Sequence, residues 1–144
     1  MLLGQYRLIL DKDHQLVLPE AFRAQFVDGA YVTRGFEQNL LIMSEKEFQA
    51  IYTRVAGLNI ADPLARLLHR LILANACKLE PGANGRMRLP QDLLVFAGLE
   101  KDIVLVGQGD YCEAWAPANW DKQNIVLLDT PANSARFAQL NLAL

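Results

Sequence analysis

Two short polar segments hold most of the side chains that could do chemistry. Asp11-Lys12-Asp13-His14-Gln15 stands just before Leu16-Val17-Leu18-Pro19, and Asn84-Gly85-Arg86-Met87-Arg88 stands just before Leu89-Pro90. The donor set is that of an anion-binding surface. Lys12, Arg86 and Arg88 are cations, and an arginine fork fits a phosphate or the edge of guanine. His14 and Gln15 add donors, and Gln15 can bond adenine or phosphate without carrying charge. Asp11 is a turn-holding acceptor. Arg86 and Arg88, two residues apart on a strand, share one face. Asn84-Gly85 suits the positive φ angles of a tight hairpin.

Other chemistries find less support. Asp11, Asp13 and His14 are too closely spaced for a metal site, and no second cluster supplies further ligands. Cys77 and Cys112 sit beside no histidine in a readable nucleophile arrangement and are expected to pack as small hydrophobes. Gly107-Gln108-Gly109 is a lone GxG between strands, without the helix a dinucleotide site needs. The expectation is a non-enzyme with no cofactor, no metal and no small-molecule substrate.

Composition limits how such a surface could work. Lys and Arg number 14 against 16 Asp and Glu, a formal net charge of −2. A monomer that binds nucleic acid usually carries a basic surplus. Here the cations must gather on one face or be multiplied by oligomerisation. Hydrophobic residues make up 52% of the 144, enough for one folded body. No apolar run approaches the ~18 residues of a membrane span, so no membrane partner is expected. Met1 to Leu10 is apolar but contains Arg7 and follows no basic stretch, which argues against a secretory signal. Two cysteines without a framework point to the cytosol.

The elements that must position the polar segments repeat. Leu16-Val17-Leu18-Pro19-Glu20 and Met87-Arg88-Leu89-Pro90-Gln91 match at an offset of 71 residues. At an offset of 72, Val32 matches Val104, Gly35 matches Gly107, Met43 matches Trp115 and Phe48 matches Trp120. In the first copy, Tyr6–Leu10 and Gln15–Leu18 read as strands flanking the turn. Pro19 starts a helix over Glu20–Phe26, Asp28-Gly29 turns, and strands Tyr31–Thr33 and Leu40–Met43 follow. Ser44 caps a second helix, with Glu47 completing a capping box. The second copy has strands Cys77–Glu80 and Arg86–Leu89, helix Gln91–Ala97 stopped by Gly98, and strands Ile103–Val106 and Tyr111–Trp115. A last short helix begins at Asn119-Trp120, and both tryptophans read as core. Asp62 and Pro63 start a linking helix with Leu64, Leu67, Leu68, Leu71 and Ile72 on one stripe. His69 lies off the stripe and is expected at a surface or subunit contact. Ile125–Leu128 looks strand-like, and a weak helical end follows from Ala132.

Gly4-Gln5-Tyr6, Leu18-Pro19-Glu20-Ala21-Phe22-Arg23, Thr33-Arg34-Gly35-Phe36, Ala61-Asp62-Pro63, Gly85-Arg86 with Leu89-Pro90-Gln91, and Ala97-Gly98-Leu99 together resemble the MraZ family. The resemblance runs collinearly over roughly residues 1–121. It implies an α+β, β-rich fold: two tandem swapped-hairpin units of the SpoVT-AbrB type packed as one pseudo-symmetric body. It divides the chain into a first repeat at 1–52, a linking segment at 53–76, a second repeat at 77–121 and a tail at 122–144. It further implies a cytoplasmic, nucleoid-associated transcription regulator of the division and cell-wall gene cluster. Its partners would be double-stranded promoter DNA with repeated boxes, and itself as a ring homo-oligomer. The family places an Asp, three residues and an Arg before each Leu-Pro. Copy one has Asp11 but Gln15 at the Arg position, and copy two has Arg86 but Gly82 at the Asp position. Arg86 is therefore expected to lack the carboxylate that would orient it. The alternative is an oligomeric interaction module whose DNA binding is weakened or lost because both motifs are incomplete.

Overall fold

Local signals set most of the element starts. The computed structural model describes residues 1–143. In chain order the elements are β1 (Gln5–Ile9), β2 (Gln15–Val17), α1 (Glu20–Arg23), β3 (Ala30–Arg34), β4 (Leu40–Ser44), α2 (Glu45–Ala56), α3 (Pro63–Ile72), β5 (Cys77–Leu79), β6 (Arg86–Arg88), α4 (Gln91–Ala97), β7 (Asp102–Gly107), β8 (Tyr111–Trp115), α5 (Pro117–Leu128) and α6 (Thr130–Phe137). A 3₁₀ turn carries α1 on to Phe26. Ser44 Oγ accepts from the Glu47 amide at the start of α2, and Asp62 Oδ1 from the Leu64 amide at the start of α3. Each bond satisfies one otherwise orphaned helix donor. Gly98 ends α4 in the left-handed region, at φ 65°.

The first two strands of each copy pair with strands of the other copy, while β3 with β4 and β7 with β8 pair within their own copies. The main sheet runs β1-β7-β8-β4-β3-β5, antiparallel throughout, and β2 and β6 form a separate two-stranded ribbon. Allowing for the repeat offset, this order is a palindrome. The first strand of each copy adds to the other copy's half-sheet, and the second strands of both copies meet in the ribbon. The chain is thus an α+β body built from two swapped-hairpin units. One expectation fails here: Asn84-Gly85 does not close a hairpin. Asn84 and Gly85 do take positive φ, 64° and 74°, but β5 pairs β3 while β6 pairs β2. The turn chemistry is local, whereas the partners are chosen by burial.

One sheet face, the ribbon, α1 and α4 enclose the main core. Leu16, Met87, Leu18 and Leu89 point into it with Phe22, Phe26, Leu93, Ile103 and Leu105. Phe22 meets Tyr6 edge-on, with ring centroids 5.1 Å apart. On the opposite face Trp115 and Trp120 pack with Val104 and Val106, while Leu41, Met43 and Phe48 form a second cluster. The repeat positions Met43, Trp115, Phe48 and Trp120 are therefore all core. Cys112 is fully buried, and Cys77 packs against the main core.

Two further expectations are corrected. Ile125–Leu128 is helical, the last turn of α5, which starts earlier than Asn119, at Pro117. Four apolar residues in a row fit either element, and Pro117 at the helix start decides. His69 is half-buried, and its Nε2 donates to the Val55 carbonyl at 2.6 Å, tying α3 to α2. Of the α3 stripe, Ile72 is buried and Leu68 and Leu71 are half-buried, while Leu64 and Leu67 remain exposed.

The N-terminus is threaded through a glycine-sized gap. The Leu2 amide donates to the Gly109 carbonyl and the Gly109 amide to the Leu2 carbonyl, at 2.7 and 2.8 Å. A Cβ on Gly107 would lie 2.5 Å from the Leu2 carbonyl oxygen. Gly107→Ala is therefore expected to release Met1–Leu3 from the β7–β8 end and to withdraw Leu2, 1% exposed, from the edge of the main core. Amide hydrogen exchange at Leu2 and Gly109 checks this, and unchanged protection there would contradict it.

Candidate nucleic-acid interface

The ribbon register puts the candidate side chains on one outward face. Gln15 stands opposite Arg88, Leu16 opposite Met87 and Val17 opposite Arg86. With period-two alternation, Leu16 and Met87 point into the core, while Gln15, Val17, Arg86 and Arg88 point out. The two turns extend the ends of this face.

Each turn is closed in the same way. The Asp11 amide donates to the Gln15 carbonyl at 2.9 Å, and the Gly82 amide to the Arg86 carbonyl at 2.8 Å. The Leu18 amide donates to Gly85, and the Leu89 amide to His14. His14 and Gly85, equivalent under the 71-residue offset, both have positive φ, 60° and 74°. In copy one Asp11 Oδ1 also accepts from the amides of Asp13 and Gln15, at 2.8 and 3.0 Å. The Gln15 amide bond is the largest influence holding the Asp11 carboxyl below its ordinary range, and the Arg86 and Arg88 guanidiniums add to it. Asp11 is consequently ionised across the neutral and mildly acidic range.

The expectation that Arg86 lacks an orienting carboxylate is overturned. Asp11 Oδ2 lies 3.5 Å from Arg86 Nη1 across the ribbon. The same Nη1 lies 3.5 Å from Gln15 Oε1. Two incomplete motifs thus supply one Asp–Arg pair, with the acid from copy one and the base from copy two. Arg86 nonetheless keeps 55% of its side chain exposed, so the guanidinium remains presented to solvent.

The other candidates are near but unequal. Arg88 and Lys12 are exposed, His14 is half-buried, and Asn84 is exposed on its turn. Gly85 is buried because Arg23 crosses it, so that a Cβ there would meet the Arg23 side chain at 2.9 Å. Arg23 Nε donates to the Leu18 carbonyl at 3.1 Å. Arg23 and the outward Val17 had no assigned part on sequence grounds. Alternation along β2 is enough to find Val17. Arg23 needed the fold, because its partner turn lies in the other copy. Among the described residues, no group of three or more His, Cys, Asp or Glu is placed to hold a metal ion, and no helix is long and apolar enough to cross a membrane.

Comparison with known proteins bears on this surface. A family model described as "MraZ protein, putative antitoxin-like" matches residues 1–71 and again residues 72–136. The transcriptional regulator MraZ of Thermomicrobium roseum is 33% identical over 141 residues, covering 97% of this chain and 99% of that protein. The protein of the same name from Herpetosiphon aurantiacus is 34% identical over 135 residues, 94% of this chain and 92% of the relative. That of Mycoplasma mobile is 34% identical over 119 residues, with 83% and 82% covered.

Proposed function

The chain belongs to the MraZ family, and from that premise we propose that it is a DNA-binding transcriptional regulator acting through the outward face of the β2–β6 ribbon. Its relatives are named as regulators and not as enzymes, and the chain is a non-enzyme. The observation that carries the reading is the outward row Gln15, Val17, Arg86 and Arg88, with Arg86 held by Asp11. A two-stranded ribbon is narrow enough for the major groove. There Arg86 is suited to guanine or phosphate, Arg88 and Lys12 to phosphate, and His14 and Gln15 to further polar contacts.

One ribbon with three cations on an acidic chain binds weakly. We therefore place several ribbons on one assembly, a ring of identical subunits engaging repeated boxes upstream of the division and cell-wall genes, in the cytoplasm at the nucleoid. In this reading residues 1–52 and 77–121 are the repeats that build each ribbon, 53–76 links them, and 122–144 is a tail outside the DNA face. Multivalency turns later contacts into intramolecular ones and raises affinity without new chemistry.

The test is binding of the purified protein to a fragment from upstream of its own gene, against a scrambled fragment, at 50 and 200 mM salt. Preference for the upstream fragment is expected, with affinity falling at least about tenfold between the two salts. Equal binding to both fragments, or none by folded protein, would contradict it and favour an interaction module.

A further inference from the structure

We infer that each chain carries one base-reading head, Arg86, assembled across the two repeats, and that Asp11 and Gln15 are its positioning residues. The inference rests on the DNA-binding reading above and says which side chain does the reading. Its basis is the difference between two halves that the backbone makes alike.

The ribbon has a pseudo-twofold centred on the Leu16–Met87 pair, which exchanges Gln15 with Arg86 and Val17 with Arg88. The same operation exchanges Asp11 with Gly82. One combination, Asp11 with Arg86, is an ion pair. Its mirror, Gly82 with Gln15, has neither an acid nor a base. Backbone strain does not explain the missing acid. Gly82 has an extended φ of −78°, and an added Cβ there would meet only the Arg86 carbonyl oxygen, at an ordinary 3.6 Å. The asymmetry is therefore one of side-chain chemistry alone.

Gln15 is drawn into the same head. Its Oε1 faces Arg86 Nη1 at the distance Asp11 Oδ2 does. Two acceptors on one nitrogen leave the rest of the guanidinium fork to face a ligand. Fixing the fork before binding lowers the ordering cost of a bidentate contact with guanine. An exposed pair at this distance contributes little to folding. Its removal therefore acts on recognition and leaves the fold intact. In Asp11→Asn the amide oxygen still accepts from the Gln15 and Asp13 amides, so the turn is kept and only the hold on Arg86 is lost.

The experiment is a double-mutant cycle on the upstream fragment, with wild type, Asp11→Asn, Arg86→Ala and the double variant, and with Gln15→Ala run alongside. Each is measured across a salt series and against an upstream fragment whose guanines are replaced. Arg86→Ala is expected to weaken binding about ten- to a hundred-fold. Asp11→Asn and Gln15→Ala are expected to weaken it several-fold with an unchanged salt slope. Asp11→Asn should add nothing once Arg86 is gone. A weakening by Asp11→Asn that is equal in both backgrounds, or absent in both, overturns the positioning role while DNA binding by the chain stands. Wild type that binds no DNA overturns the functional reading, and this inference with it.

Discussion

Replacing Arg86 and Arg88 together by alanine is expected to cost at least about two orders of magnitude in affinity for the upstream DNA. The two guanidiniums are the exposed cations of β6, and both face away from the core. Each phosphate they neutralise releases counterions, so the dependence of log affinity on log salt should become shallower by about one for each phosphate left without its arginine. In an assembly the deficit is repeated in every subunit and compounds through multivalency. Folding should be nearly untouched, because the Asp11–Arg86 ion pair that is removed is solvent-exposed. Salt-dependent titrations with wild type and variant side by side check this. A folded double variant that binds within about threefold of wild type would move the DNA surface off the ribbon.

Phe22→Ala is expected to destabilise the chain by about 3–5 kcal/mol. That is a large share of the roughly 5–15 kcal/mol that holds a typical domain together. Phe22 has no exposed surface and packs between the ribbon and the sheet. Its ring meets Tyr6 of β1, while Leu16 of the ribbon and Leu18 just after it lie in the same cluster. The cavity would open directly beneath the outward residues. Urea unfolding should show a lower midpoint with little change in slope. DNA affinity should fall as well, through loosening of the ribbon and without removal of any polar group. A destabilisation below about 1 kcal/mol would mean that the site collapses around the gap and that Phe22 does not brace the ribbon.

What could be read in the sequence was set locally. Asp62 with Pro63, Ser44, Gly98 and the two Leu-Pro steps are each decided by backbone geometry within a few residues. The repeat also made the order of elements legible. Strand partners were not legible in the same way. Asn84-Gly85 carries the right dihedral angles for a hairpin, yet nothing local says that β6 will leave β5 for β2. That choice comes from burying Leu16 and Met87 together over the sheet. Asp11 and Arg86 are 75 residues apart, so each motif looks broken until the ribbon brings their halves together. A long sequence separation also hides Arg23, whose side chain rests on a turn of the other copy. Ile125–Leu128 fails for a different reason, since four consecutive apolar residues have no period to read.

The central claim is that the outward face of the β2–β6 ribbon lies against DNA, and a photo-crosslinking residue at Val17 tests it most directly. Val17 is 38% exposed, stands opposite Arg86 and carries no charge, so its replacement keeps every polar group of the face. Ile125, 72% exposed on α5, serves as the control position. Crosslinking to the upstream fragment from position 17, suppressed by unlabelled specific DNA and absent from position 125, is the expected result. Crosslinking from position 125 alone, by protein that still binds the fragment, would contradict the account and place the DNA on another face.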